Sequence, residues 1–332
     1  MRILHATANP GNQGMKLSRA QRKLGYDSDC LVGRQGYANF GADIDLRLDR
    51  ANSLVGSFRK FIALCRCLTK YDVFHFHSVT FINPCIDIVF LRILRKKVIF
   101  HCHGVELIRA LDPERAKTLY GGEFSFLVKI VMKLNIHLFT KFSNTVLVSE
   151  PDLLVYIPKA VWIPQPTDLD YWSISNASKS RDRIVRIAHA PSDKQKKGTK
   201  YIIFAVNELK RLGYKIELEV IHGIPYTEVK PRIQEADIFI DQLLAGWYGN
   251  AAVEALALKK PVCAYIRDDM VGYLGDCPIV NANSSNLAQK LQLLIENRSL
   301  RKQLGVLGRK YVEKYHNTNI IAKKLVEIYV SV

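Results

Sequence analysis

The stretch IDQLLAGWYGNAAVEALALKKPV, residues 240–262, decides the fold. A β-type run over 237–240 ends on Asp241. A loop rich in glycine and aromatics, Gly246-Trp247-Tyr248-Gly249, follows and opens a helix with Glu254 in its second turn. A strand that passes through a glycine loop into a helix N-terminus is a building block of open α/β sheets, and ligands of such sheets bind at that edge. Glu254 stands between Val253 and Ala255-Leu256 in an otherwise apolar segment, where a carboxylate needs a partner.

Working outward, apolar runs bounded by turn residues recur at 2–7, 72–77, 97–102, 145–149, 184–189, 216–221, 236–240 and 261–265, with helical patterns between most of them. Such alternation predicts parallel sheets flanked by helices. At 332 residues the chain is long for one core, and two domains of about 150 residues each are expected. The serine- and charge-rich segment 170–183, DYWSISNASKSRDR, reads as the linker. The chain ends in an amphipathic helical pattern over roughly 307–330.

Further candidate site residues fall just after strands. Gly11 and Gly14 lie in the turn after the first run, where a helix start can approach a phosphate. The spacing is neither a dinucleotide fingerprint nor a P-loop. Two histidine doublets, His75/His77 and His101/His103, end strands with each pair on one face. No acidic or cysteine spacing joins them, so no metal site is expected. His103, followed by Gly104, is the histidine expected in the cleft. The loop after 184–189 carries Lys194, Lys196 and Lys197 before Gly198. Lys194 and Lys197, three apart, can oppose a diphosphate as point charges. Gly249 and the N–H groups of Asn250 and Ala251 can face the same phosphates, and Glu254 can accept two ribose hydroxyls.

In this order and spacing, YDVFHFHS, FHCHGVELIRA, VLVSEPDLLVYIPKAVWIPQPTDLDYW, HAPSDKQKKGTKYI and DQLLAGWYGNAAVEALALKKPV resemble the retaining nucleotide-sugar glycosyltransferases of family 4, over nearly the whole chain. The resemblance implies a GT-B fold, two Rossmann-like doubly wound domains facing across a cleft. It implies domains at 1–170 (acceptor side) and 171–310 (nucleotide-sugar side), with a C-terminal helix at 311–332 packing back towards the first. The implied activity is metal-independent transfer of a sugar from a UDP- or GDP-linked donor to a glycan or lipid-linked acceptor, in cell-surface polysaccharide or glycolipid synthesis, without a cofactor. Lys194 and Lys197 match the pair that neutralises the donor diphosphate, Glu254 the ribose-binding glutamate, and His103 the histidine beside the transferred sugar. Gly11, Gly14 and Gly249 match the family's glycines. The family's other glutamate falls at Gly246, so Asp241, Gln242 and Trp247 are expected to share its contacts with the donor sugar, with Tyr248 also in the nucleotide-sugar site.

Composition narrows the alternatives. The chain holds 48 Lys and Arg against 31 Asp and Glu, a net charge of +17, spread over both halves. That field favours an anionic partner. No nucleic-acid-binding motif accompanies it. Basic residues interleave with apolar ones over 54–70 and 124–142, a pattern suited to an anionic membrane face. Seven scattered cysteines suit a reducing cytoplasm, and the sequons at Asn176, Asn283 and Asn297 are expected to stay unmodified. The expected location is cytoplasmic, peripheral at the inner face of the membrane. A nucleotide-sugar epimerase of the same architecture is the alternative enzyme.

Overall fold

The computed structural model describes residues 1–34, 41–122, 125–174 and 184–332. The linker candidate at 170–183 lies outside the described residues from position 175 onward. The chain divides into two compact units. The first comprises Met1–Lys117, Gly121–Pro166 and Thr318–Val332, and the second Thr118–Tyr120 and Thr167–Asn317.

In chain order the elements up to residue 162 are β1 (Arg2–Ala6), α1 (Gln13–Lys23), β2 (Asp27–Val32), β3 (Ile44–Asp45), α2 (Ser53–Lys70), β4 (Val73–His77), α3 (Asp87–Ile93), β5 (Lys97–Cys102), α4 (Val105–Leu111), α5 (Pro113–Tyr120), α6 (Phe126–Phe142), β6 (Thr145–Val148) and β7 (Val161–Trp162). There follow β8 (Val185–His189), α7 (Thr199–Arg211), β9 (Ile216–Val220), α8 (Tyr226–Glu235), β10 (Ile238–Ile240), α9 (Asn250–Ala257), β11 (Val262–Ala264), β12 (Val280–Asn281), α10 (Leu287–Glu296), α11 (Arg298–Tyr315) and α12 (Thr318–Ser331).

Both sheets are parallel throughout, as the alternating pattern requires. The first unit has seven strands in the order β3-β2-β1-β4-β5-β6-β7, and the second has five, β12-β11-β10-β8-β9. Each of the eight apolar runs lies on a strand. Four strands among the described residues escaped the pattern: three are two residues long, and β2, of six, was hidden by its Asp-Ser-Asp start.

Right-handed crossovers place α1 on one face of the seven-stranded sheet and α2, α3 and α6 on the other. The α1 face is also covered by α12, which buries Ile321, Leu325 and Tyr329 against Ile3, Val73, Ile99 and Leu147. On the opposite face Phe100 stacks on Phe139 of α6 at 4.0 Å. The single terminal helix expected over 307–330 is two helices. The break falls at His316-Asn317, where the His316 carbonyl accepts from the Thr167 N–H at 2.7 Å. In the second unit Ile187, Ile238 and Ile240 pack under α7 and α10. All seven cysteines are free thiols. No helix among the described residues is long and apolar enough to cross a membrane.

Candidate functional site

In each sheet the strand order reverses once, between β8 and β10 in the second unit and between β1 and β4 in the first. Loops leaving the carboxyl ends of strands on either side of such a reversal diverge and open a crevice. The second unit's reversal brings together the loops at 190–198 and 241–249, which are tied by Leu243 N–H to the Lys197 carbonyl.

Asp241 is the hub of that crevice. It is 1% exposed. Its Oδ1 accepts from Lys197 Nζ at 3.0 Å, and its Oδ2 accepts from the Gly249 N–H at 2.6 Å. A buried carboxylate thus holds an ammonium beside the first turn of α9. A Cβ at position 249 would lie 2.8 Å from Lys197 Nζ and 3.3 Å from Asp241 Oδ2, so a side chain there would push the ammonium off its place beside Asp241. The Gly249 N–H is taken by Asp241, so Asn250 and Ala251 supply the N–H groups that the first turn of α9 presents. Lys194 is exposed at the rim, and Lys196 pairs with Asp193. The expected pair is therefore unequal: Lys197 arrives already neutralised in part, and Lys194 stands in solvent. Beneath them His189 donates from Nδ1 to the Ile240 carbonyl and meets the Thr199 hydroxyl through Nε2. Burial pulls its pKa down to about 4.

Glu254 is buried, and its Oε1 accepts from the Tyr226 hydroxyl at 2.6 Å. Burial, and then the Glu254 charge, hold that phenol protonated far above its usual range. The Tyr226 ring stacks on Tyr171 (5.9 Å, 11°) and meets the fully buried Trp172 edge-on. Tyr171 and Trp172 fell inside the segment read as a linker. The signal was present, since two adjacent aromatics are out of place in a polar spacer.

Three residues of the 241–249 loop expected in the nucleotide-sugar site point elsewhere. Gln242 is fully buried and spends its amide on the loop: Nε2 donates to the Trp247 and Tyr265 carbonyls, and Oε1 accepts from the N–H groups of Leu244 and Ala245. Trp247 and Tyr248 are buried and stacked at 4.7 Å. The Tyr248 hydroxyl bonds those of Tyr311 and the His316 ring. These side chains build the loop's shape. Gly246 has φ +86°, and a Cβ there would lie 2.5 Å from Arg267 Cγ. Arg267, bidentate to Asp269, fills the space a side chain at 246 would need.

The first unit carries Gly11, Gly14 and His103. Gly11 has φ +56°, and Gly14 lets α1 pack onto the sheet, since a Cβ there would press Cys30 Sγ at 3.2 Å. The histidines follow from register. His5 is paired with His75, and His77 with His101, so the α1-facing row of each strand begins apolar and ends in histidine. Their side chains close a ring. His5 Nε2 meets Gln21 Oε1 (2.9 Å), His5 Nδ1 meets His77 Nε2 (3.1 Å), and His77 Nδ1 meets His103 Nε2 (3.1 Å). His103 Nδ1 meets Ser149 Oγ (2.7 Å), which also meets His101 Nε2 (3.1 Å). His101 Nδ1 meets His75 Nε2 (3.3 Å), His75 Nδ1 meets the Tyr329 hydroxyl, and Gln21 Nε2 returns to that hydroxyl at 3.5 Å.

Two triads, His5-His75-His77 and His77-His101-His103, place ligand atoms within 4.8 Å of one another. The ring accounts for those nitrogens without a cation, and it offers no carboxylate to offset a divalent charge. Burial pulls His5 down to about 4 and His103 to about 3, with His75, His77 and His101 well below the usual range. A group that neutral is a poor acid or base near pH 7. His103 can orient a ligand but is not tuned to move its proton.

No family model matches the chain, and no curated protein matches it. Solved structures do, over full length. Sucrose-phosphate synthase from Thermosynechococcus elongatus superposes with a TM-score of 0.73 at 13% identity, covering 100% of this chain and 99% of its own. Anabaena HepE, solved with UDP-glucose, gives 0.69 at 14%, covering 100% of both. UDP-GlcNAc 2-epimerase from Neisseria meningitidis, solved with UDP-GlcNAc, gives 0.58 at 14%, again covering 100% of both. Likeness of this extent at such low identity speaks for the architecture: the chain has the GT-B fold.

Proposed function

We propose that the chain is a retaining, metal-independent glycosyltransferase that moves a sugar from a nucleoside diphosphate-sugar to an acceptor hydroxyl. The observation that carries this reading is the reversal point of the five-stranded sheet. There Asp241 holds Lys197 against the start of α9, and a buried carboxylate, Glu254, sits one turn further along. A diphosphate at the first turn of α9 would meet the N–H groups of Asn250 and Ala251, the Lys197 ammonium and, from the rim, Lys194. Glu254 would take the ribose hydroxyls, and Tyr226 and Tyr171 flank it with aromatic surface.

In the transfer, the bond from the anomeric carbon to the diphosphate oxygen breaks and one to the acceptor oxygen forms on the same face of the sugar. The acceptor's proton passes to the departing diphosphate. Negative charge grows on the leaving group, where preorganised cations and helix N–H groups stabilise it most. Those cations do the neutralising work, so the scheme calls on no metal.

The acceptor side is read from the first unit. Helices α2, α3 and α6, on one sheet face, expose Phe58, Phe61, Phe90, Ile93, Phe126 and Leu127. The same helices carry Arg59, Lys60, Arg66, Lys129, Lys133 and Lys141, and their one acidic residue, Asp87, is buried. Apolar side chains among these cations suit an anionic lipid surface bearing a lipid-linked acceptor, at the inner face of a membrane. Flotation with anionic vesicles at low salt tests this. Protein that stays at the bottom of the gradient removes the membrane from the account.

The fold is shared with epimerases, so product analysis is the discriminating experiment. Each nucleotide-sugar is incubated alone and with a mixed glycan and glycolipid acceptor pool. Acceptor-dependent release of nucleoside diphosphate is the expected result. Release of an altered nucleotide-sugar or sugar without acceptor would replace transferase with epimerase.

A further inference from the structure

Gln21 is the one member of the histidine ring whose two ends differ in kind. An amide oxygen only accepts, and an amide nitrogen only donates. Its Oε1 faces His5 and its Nε2 faces Tyr329. His5 must therefore carry its proton on Nε2, which leaves Nδ1 to accept from His77 Nε2. The same choice is forced on each neighbour in turn, because a neutral imidazole donates once and accepts once. Followed round, every histidine is the Nε2–H tautomer. Ser149 donates to His103 and accepts from His101, while Tyr329 donates to His75 and accepts from Gln21. The ring closes with one proton in every contact.

We propose that Gln21 is a positioning residue for His103. Acting through His5 and His77, it fixes which nitrogen of His103 holds the proton and how the ring is set. His103 then turns an accepting Nδ1, now bonded to Ser149, towards any hydroxyl that takes Ser149's place. The consequence for transfer rests on the reading that puts His103 at the donor sugar, but the ring's polarity does not. Gln21 is fully buried on α1, where its Oε1 also accepts from the Ser28 hydroxyl at 2.8 Å, and it reaches His103 through the ring. Reversing its amide would reverse every contact and make all five histidines Nδ1–H.

The test is histidine side-chain ¹⁵N–¹H correlation spectroscopy on the full chain, without substrate. Wild type should show His5, His75, His77, His101 and His103 as neutral Nε2–H at pH 7, and an Nδ1–H signal from His5, His77 or His103 overturns the proposal. Gln21→Met removes the pin, and His103 should become a mixture of tautomers. Gln21→Glu keeps an accepting oxygen towards His5 and should restore a uniform Nε2–H. His103 remaining wholly Nε2–H in Gln21→Met contradicts the inference, and so does a mixture in Gln21→Glu. Should Gln21→Met not fold, the wild-type and Gln21→Glu spectra still decide. In the transfer assay, Gln21→Met should lower kcat/KM for the donor about tenfold, the weight of one well-placed hydrogen bond, and Gln21→Glu should recover it. Changed spectra with unchanged kcat/KM would refute the positioning role. A wild type that transfers nothing yet shows the predicted tautomers would refute the activity and leave the ring.

Discussion

The two reversal points solve one problem with opposite chemistry. At the carboxyl edge of the seven-stranded sheet, five histidines, a serine, a glutamine and a tyrosine satisfy one another without net charge. At the edge of the five-stranded sheet, a lysine, an aspartate and a helix N-terminus do so with charge. A neutral network tolerates salt and fails in acid. A charged one can meet a phosphate, and it fails when either partner is removed.

The largest expected effect separates the units by pH. Each buried histidine has a folded pKa below the unfolded value of about 6.5, so the unfolded chain takes up the proton first as pH falls. Stability is intact above that value and is lost on the way down to the folded pKa, about 4 for His5 and about 3 for His103. Each such group costs about 1.4 kcal/mol per pH unit in that window. Five together approach the whole stability of a domain. Among the described residues the second unit buries two histidines, His189 and His316, against the five of the ring, and burial pulls His189 down to about 4. Hydrogen exchange at pH 5.3 should therefore find the first unit opening while the second stays protected. Equal protection would break the comparison.

Next in size is Lys197→Met. It strands the carboxylate of Asp241, 1% exposed, and should cost about 3 kcal/mol in urea unfolding at pH 8. A loss under about 0.5 kcal/mol, the range of an exposed pair, would show that the charged hub carries little. Smaller again is Gly246→Glu, which installs the carboxylate that the sequence resemblance would place at that position. With φ +86° and Arg267 Cγ 2.5 Å from the new Cβ, it should cost about 1–3 kcal/mol and gain no transfer activity. A more active, equally stable variant would mean that Arg267 leaves the space readily.

Much of this was legible in the sequence. The strand runs, the parallel class and the placing of Gly249 and Glu254 at one helix start follow from spacing, because period-two alternation and glycine turns act locally, whereas the meeting of Lys197 with Asp241, 44 positions on, is tertiary. That Gln242, Trp247 and Tyr248 brace the loop was not legible, because a loop's polar and aromatic residues look alike whether they face a ligand or hold the loop's shape. Only their partners, the Trp247 carbonyl for Gln242 and Tyr311 for Tyr248, decide. The histidine doublets were visible but the ring was not, since its closure depends on Gln21 and Tyr329, 308 positions apart in the chain. The role of Tyr171 and Trp172 was hidden for a similar reason: their packing on Tyr226 is tertiary.

The central claim is a nucleoside diphosphate site at the charged reversal point. Thermal shift of wild type and Glu254→Ala against UDP, GDP, ADP and CMP, with EDTA present, tests it most directly. A ligand at about 100 times its Kd adds about 2.7 kcal/mol. The account predicts a rise in Tm with one diphosphate that vanishes in Glu254→Ala. A rise of equal size in both proteins, or none with any nucleotide, would contradict it.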